Sequence, residues 1–285
     1  VALEYLRGNL LTGFPWGLLG YAAIDMTQLR QIADLFGVYG LSWLLVLCNS
    51  ALALIFQRRF QRVAIFGAAS SILLLAGAFF YGQQALQERE EDLPRLKVGL
   101  VQGSFEQQFK WDRKYRQQTL DRYRQLSQDA SDQGAELLIW PEAATPFYVQ
   151  DDSVDSRQVR KIPIDTGRAL LFGGPSYQTL PDQSYSYHNS AFLLGADGQS
   201  RGRSDKIHLV PFGEYVPLGK LLFFINKLVT GVGDYSPGTV KPLALNGHDL
   251  GVLICYEAIF PEIAREYVRN GSDLLVNLTN DAWFG

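Results

Sequence analysis

DLFGVYGLSWLLVLCNSALALIF, residues 34–56, decides the first part of the fold. After Asp34 it carries no charge for 22 residues. A helix of this length is about 34 Å long, enough to cross the hydrocarbon core of a bilayer. A second uncharged run, VAIFGAASSILLLAGAFFY, occupies residues 63–81 and is about 28 Å long as a helix. The sequence therefore predicts two membrane-spanning helices. The alternative, two buried core helices of a soluble domain, fits such long uncharged runs less well.

The loop between the two runs indicates how the helices are oriented. It reads QRRFQR, residues 57–62, and contains three arginines. Short basic loops remain on the cytoplasmic side of a membrane. The helices then form an antiparallel hairpin, and everything that follows lies on the non-cytoplasmic face. We expect a membrane region over residues 1–82, with a helix end before an interfacial loop at GFPWG (13–17), and then a charged linker at 83–95.

The rest of the chain, residues 96–285, has the pattern of an α/β domain. Short apolar runs alternate with amphipathic segments, which is typical of layered α/β folds. The predicted strands are 96–102, 136–140, 169–172, 191–194, 250–255 and 274–278, and the predicted helices are 111–132 and 261–269.

Composition excludes several classes of function. There are 26 Lys and Arg against 29 Asp and Glu, a net charge of -3, so no bulk positive charge favours nucleic acid. Two cysteines exclude a disulfide scaffold. The three histidines lack the spacing of zinc ligands and no phosphate-binding loop is present, so we expect neither a metal nor another cofactor. Because the chain begins at Val1 and stops just after an aromatic pair, we expect it to be a segment truncated at both ends.

Three side chains in the second half have contexts that suit catalysis. Cys255, in ICYE, ends an apolar strand; the alternative is a small buried hydrophobic residue. Glu142, in WPEAATPF, directly follows a strand and is placed to accept a proton; the alternative is a solvated loop charge. Lys206, in SDKIHLVPFGEYVP, suits the stabilisation of an oxyanion or a thiolate, with Glu214 placed to hold it. The alternative for that pair is a weak surface salt bridge.

The segments around these residues resemble the nitrilase, or carbon–nitrogen hydrolase, superfamily. They are more similar still to its membrane-bound branch, the bacterial apolipoprotein N-acyltransferases. The segments that carry the similarity are EYLRGNLLTGFPWGLLGY (4–21), KW (110–111), WPE (140–142), HLVPFGEYVP (208–217), ICYE (254–257) and NDAWFG (280–285). The resemblance implies transmembrane helices followed by a nitrilase-like α-β-β-α sandwich, here incomplete at its C-terminal end.

The resemblance also implies a role for each site residue. It makes Glu142 the general base, Lys206 the group that stabilises the oxyanion, and Cys255 the nucleophile. It adds Glu214, which orients the lysine, and Tyr256 and Glu257, which flank the nucleophile. The backbone N–H of Tyr256 would complete an oxyanion hole. The aromatic residues that the resemblance places near the substrate are Trp111, Trp283 and Phe284.

The activity implied by the resemblance uses two lipid substrates. An acyl chain moves from a phospholipid, with phosphatidylethanolamine the expected donor, to the N-terminal amine of a diacylated apolipoprotein, through a thioester on the cysteine. The enzyme is expected in the bacterial inner membrane as a multi-pass protein, with its catalytic domain on the periplasmic side.

One further segment suits a lipid surface. LGKLLFFINKLV, residues 218–229, is apolar with a lysine near each end, and we expect an amphipathic helix that reaches lipid through Leu222 and Phe223. The alternative is a helix packed on the domain. Two other functions also remain open: a membrane-anchored amidase that hydrolyses a small C–N substrate with the same three residues, and a non-catalytic scaffold that binds lipoprotein.

Overall fold

The fold was analysed in a computed structural model. The structure describes residues 1–57, 61–88, 95–105, 113–216 and 235–280. The chain divides into two compact units, Val1–Arg95 and Leu96–Gly285.

The first unit is helical. Helix α1 (Ala2–Asn9) is followed by a non-helical stretch that contains GFPWG, and then by two short 3-10 helices. Two long helices, α2 (Ala33–Gln57) and α3 (Gln61–Glu88), come next. The apolar parts of these two helices have mean hydropathies of 1.9 and 2.2, and both are long enough to cross a membrane.

Helices α2 and α3 pack through small residues and expose their large ones. Ala51 and Ala78 are buried, and a Cβ placed on Gly67 would lie 3.5 Å from the Cβ of Ala51. By contrast Phe66 and Leu73 are each 74% exposed. Only 22% and 17% of the apolar stretches of the two helices are buried. Core helices of a soluble domain bury their apolar face, so the exposure favours the membrane interpretation over that alternative.

Two details of this unit differ from the prediction. Helix α2 is interrupted at Gly37, where φ is +64° and ψ is -174°, a conformation that glycine adopts readily. The helix predicted without a break from Asp34 is therefore regular only after this kink. Helix α3 continues to Glu88, into the expected linker, because QQALQ consists of good helix formers. The arginines Arg58 and Arg59 of the connecting loop lie outside the described residues.

The second unit contains two β-sheets. In the five-stranded sheet, β1 to β5 lie side by side in chain order. The pairs β1–β2 and β2–β3 are parallel, and the pairs β3–β4 and β4–β5 are antiparallel. In the three-stranded sheet, β6 pairs antiparallel and β8 parallel with the central β7. The strands are β1 Val98–Leu100, β2 Leu137–Ile139, β3 Ala169–Thr179, β4 Tyr185–Leu194, β5 Ser200–Asp205, β6 Leu243–Leu245, β7 His248–Ile254 and β8 Leu274–Leu278.

The sheets pack face to face between layers of helix. Side chains from both sheets form one buried cluster, which includes Leu171 and Val252. On its other face the five-stranded sheet packs against helices α4 (Arg113–Asp132) and α5 (Val154–Thr166). Helix α6 (Pro261–Arg269) packs on β7, where its Tyr267 is fully buried. This order of layers confirms the predicted α-β-β-α sandwich.

Several elements of this unit were not expected from the sequence. Strands β3 and β4 are much longer than the predicted apolar runs, because their pairing continues beyond the apolar residues toward the turn that joins them, for ten registered pairs in all. Strand β5, SRGRSD, has no apolar pattern and forms by pairing with β4. Helix α5 contains Pro163 and many charges, yet Val159 and Ile162 bury its inner face. Tertiary pairing overrides local propensity at each of these places.

Candidate active site

Glu142 stands in a buried turn at the carboxyl end of β2. Trp140 before it is fully buried, and its indole N–H donates to the Ser127 hydroxyl at 3.0 Å. The turn lies against Gly173 of β3, whose N–H donates to the Pro141 carbonyl. A Cβ on residue 173 would come within 2.6 Å of the Glu142 Cα. The glycine therefore lets this turn press against the sheet, and Glu142 is only 7% exposed.

Lys206 follows β5 directly and is 1% exposed. Its Nζ lies 3.0 Å from the carboxylate of Glu214 and 3.9 Å from Oε1 of Glu142. Burial by itself lowers the pKa of Lys206, but the charges of Glu214 and Glu142 outweigh it, so the pKa lies above the ordinary value. The lysine therefore remains charged although it is buried, and losing either carboxylate would leave that buried charge less well compensated.

Cys255 is the first residue after β7 and opens a 3-10 helix, Cys255–Ile259. Its φ is +55°, a region that non-glycine residues rarely enter and that is common at functional sites. Burial raises the pKa of the Cys255 thiol, and the charge of Glu142 raises it further, while Lys206 lowers it. On balance, the pKa of the thiol lies above its ordinary value. The thiol therefore holds its proton at neutral pH, with a carboxylate in place to remove it.

Glu257 connects the segments that carry the lysine and the cysteine. One carboxylate oxygen accepts the backbone N–H groups of Ile207 at 2.6 Å and His208 at 2.9 Å, and the other accepts that of Ile254 at 2.7 Å. The side chain is 1% exposed, and burial raises the pKa of Glu257 against the opposing effect of these three donors. A single buried carboxylate thus fixes the residue after Lys206 relative to the residue before Cys255.

Asn189 of β4 also belongs to this cluster. Its Nδ2 donates to Glu142 Oε1 at 2.8 Å and to Glu214 Oε1 at 2.9 Å. Asn189 was not predicted, because only the apolar end of this strand is recognisable from hydropathy. The available signal was the polar triplet His188, Asn189 and Ser190 inside a run that otherwise reads as a strand.

The structure brings four of the predicted residues together, namely Glu142, Lys206, Glu214 and Cys255, with Glu257 beneath them. Tyr256 packs its ring against Phe260 at 5.1 Å between centroids, and its role in an oxyanion hole remains a prediction. Within the described ranges, no three His, Cys, Asp or Glu side chains are grouped to hold a metal ion. The predicted substrate contacts lie outside the described residues: Trp111, Leu222, Phe223, Trp283 and Phe284.

Comparison with known families assigns the domain that contains this cluster. A family model described as carbon-nitrogen hydrolase matches residues 97–285. The chain belongs to the carbon–nitrogen hydrolase family. A second model, described as the apolipoprotein N-acyltransferase N-terminal domain, matches residues 1–51. The two matches together confirm the similarity to the membrane-bound branch of this family.

Curated relatives point to the same branch. The chain is 46% identical over 291 residues to a Geobacter metallireducens protein named apolipoprotein N-acyltransferase. It is 35% identical over 297 residues to the protein of that name from Rhizobium etli, and 32% over 292 residues to that from Rickettsia prowazekii. The alignments cover 99% to 100% of this chain but 55% to 57% of those relatives. The chain thus spans about half the length of the curated relatives that it matches.

Two solved structures also align with part of the chain. An amidase from Nesterenkonia sp. is 24% identical with a TM-score of 0.47, covering 65% of this chain and 64% of the amidase. A carbon-nitrogen hydrolase from Helicobacter pylori G27 is 18% identical with a TM-score of 0.46, covering 65% and 59%.

Proposed function

We propose that the protein containing this chain transfers an acyl chain from a phospholipid to the N-terminal amine of diacylated lipoproteins, through a thioester on Cys255. The observation that carries the proposal is the buried cluster of Glu142, Lys206 and Cys255 in a chain that also has two membrane-length apolar helices. The names of the relatives support the same activity.

The first half-reaction forms the thioester. Glu142 removes the proton from the Cys255 thiol, and the sulfur attacks the ester carbonyl of the phospholipid. The negative charge that develops on the carbonyl oxygen is stabilised by the ammonium of Lys206. When the tetrahedral intermediate collapses, the C–O bond breaks. Glu142 then returns its proton to the departing oxygen of the lysophospholipid.

The second half-reaction delivers the chain to the lipoprotein. The free α-amine attacks the thioester carbonyl, Lys206 again stabilises the oxyanion, and the C–S bond breaks. The amine loses one proton to Glu142, which passes it to the leaving thiolate of Cys255. Both substrates thus use one site in turn, which gives ping-pong kinetics. Water must be kept from the thioester, since its hydrolysis would turn the transferase into a lipase.

The remaining site residues hold these three in place. Glu214 keeps the ammonium of Lys206 directed at the reaction, and Glu257 fixes the backbone on both sides of the cluster. Tyr256 is proposed to offer its backbone N–H to the oxyanion. The residues proposed to contact the lipid substrates, all outside the described ranges, are Trp111, Leu222, Phe223, Trp283 and Phe284.

The proposed location is the bacterial inner membrane, with the catalytic unit on the periplasmic side. The basic loop QRRFQR between the two apolar helices supports this orientation. A site for lipid substrates must also meet the bilayer, which fits a domain joined directly to membrane helices.

An acyl-transfer assay tests the proposal. The full-length parent protein in detergent is given phosphatidylethanolamine and a diacylated lipopeptide, and the lipopeptide should gain the mass of one acyl chain. Replacing both Leu222 and Phe223 by glutamate should reduce transfer from phospholipid. Transfer from a short water-soluble thioester donor should be unchanged. Equal loss with both donors would contradict the lipid contact of this segment.

The alternative function is hydrolysis of a small amide by the same three residues. The apolar helices and the relatives' names disfavour it. Release of ammonia from small amides, together with no acylation of the lipopeptide by folded protein, would reverse the choice.

A further inference from the structure

Asn189 joins two carboxylates of the site through one amide group. Its side chain is on β4, and the residue is 8% exposed. The Nδ2 atom lies 2.8 Å from Glu142 Oε1 and 2.9 Å from Glu214 Oε1. An ionised carboxylate only accepts hydrogen bonds, so both amide hydrogens are directed at these oxygens and the orientation of the amide follows from the chemistry.

The backbone of Asn189 fixes the third charged group. The N–H of Lys206 donates to the Asn189 carbonyl at 2.8 Å. Asn189 thus fixes the backbone position of Lys206 through its carbonyl. Through its amide it fixes the positions of the carboxylate oxygens of Glu142 and Glu214, the two partners of that lysine. The ammonium of Lys206 also lies between the two carboxylates, 3.0 Å from Glu214 and 3.9 Å from Glu142 Oε1.

The ionisable groups around this amide come from four segments. Besides the two glutamates they are Lys206, the Cys255 thiol and the Tyr235 hydroxyl, whose pKa is raised by burial and then by Glu214. The ring of the neighbouring His188 forms hydrogen bonds with other groups, through Nδ1 with the Ser236 carbonyl and through Nε2 with the Ser186 hydroxyl.

We propose that Asn189 is a positioning residue that sets how one proton is shared between Glu142 and Cys255. The proposal rests on the proposed role of Glu142 as the base. A donor to a carboxylate favours its ionised form, so the amide favours the state with the proton on sulfur. Without the amide, the state in which the proton has moved from Cys255 Sγ to the Glu142 carboxylate and left a thiolate becomes more populated, by the factor that one such hydrogen bond is worth. The same loss frees Glu142 and Glu214 to shift away from the lysine, so acyl transfer becomes slower.

Asn189→Leu tests this, because it keeps the number and branching of the side-chain heavy atoms and removes both donors. We expect Cys255 of the full-length variant in detergent to react with iodoacetamide about tenfold faster than wild type near pH 7, the value of one charge-assisted hydrogen bond. The two rates should converge at high pH, once the Cys255 thiol of both proteins is fully ionised. Thioester formation from phosphatidylethanolamine should fall at least about tenfold. Ser176→Ala is the control: it removes a buried hydrogen bond to Ser190 on the same two strands and should leave both rates unchanged.

Two results would overturn the role of Asn189. One is an alkylation profile and a thioester rate equal to those of wild type. The other is faster alkylation by the same factor at every pH, which indicates greater access to the sulfur and no transfer of the proton. If the leucine variant does not fold, Asn189→Ala is measured in its place with the same expectations. A wild-type protein that forms no thioester would refute acyl transfer, whereas the alkylation profiles would still decide the role of Asn189.

Discussion

Lys206 shows how the site keeps a full charge inside a sandwich of sheets. Its ammonium is 1% exposed and lies between two carboxylates. Its spacing from Glu214 was visible in the sequence, since both lie in SDKIHLVPFGE. Its approach to Glu142 and Cys255, which come from distant segments, was implied only by family resemblance. Asn189 was not predicted, because the sequence around a polar residue inside a strand does not indicate which groups its side chain contacts.

Replacing Lys206 by methionine should slow both the alkylation of the Cys255 thiol and the formation of the thioester. Lys206 lowers the pKa of Cys255, so its loss raises that pKa. The iodoacetamide reaction should slow near neutral pH and recover at high pH. Thioester formation should fall by about 100-fold or more, the usual cost of losing an oxyanion-stabilising group.

Lys161→Met, on the exposed face of α5, is the matched control and should change neither rate. Thioester formation that survives in Lys206→Met would remove the lysine from the proposed mechanism.

At the scale of elements, the ends of three strands place Glu142, Lys206 and Cys255, and the long strand β4 places Asn189 among them. Strand β2 has three residues, and its apolar run followed by Pro141 was predictable. The extent of β3 and β4 was not, because their register continues through Gly173, Pro175 and polar side chains. Apolar patterning predicts where a strand meets the core, but only the pairing partner determines where it ends.

Gly173→Ala should disturb the turn that carries Glu142. The new Cβ would meet only backbone atoms, at 2.6 Å from Glu142 Cα, 2.8 Å from Ala143 N and 2.9 Å from Pro141 O. We expect the free energy of unfolding to fall by about 1–3 kcal/mol, the usual cost of overpacking. Thioester formation should fall about tenfold or more, since the base moves away from the thiol.

Gly77→Ala makes the same change inside helix α3, where no atom beyond the adjoining helix backbone lies within 4 Å, so it should leave thioester formation unchanged and should not lower the free energy of unfolding. A folded and fully active Gly173→Ala protein would contradict the close fit of the turn.

At the scale of the whole molecule, hydropathy predicted the helical unit and alternating runs predicted the sandwich. The helical kink at Gly37 and the extension of α3 to Glu88 were not predictable from hydropathy alone, since neither changes the apolar content. The predicted side of the membrane rests on three arginines within residues 58–62, the last of which lies in the first turn of α3. It also rests on a rule about membrane insertion, which the fold does not test.

Labelling of single cysteines tests the proposed orientation. In a background without Cys48 and Cys255, a membrane-impermeant maleimide should label Ala196→Cys, in the exposed turn after β4, from the periplasmic side of intact spheroplasts. Arg59→Cys, in the basic loop, should react only after the membrane is opened. The reverse pattern would place the catalytic unit in the cytoplasm.

The most direct test of the account is the mass of the full-length parent protein after incubation with phosphatidylethanolamine. We predict a gain of one acyl chain that hydroxylamine removes and that is absent in Cys255→Ala. Addition of a diacylated lipopeptide should discharge it. No adduct on folded wild-type protein, or an equal adduct on Cys255→Ala, would contradict Cys255 as the carrier of the acyl chain.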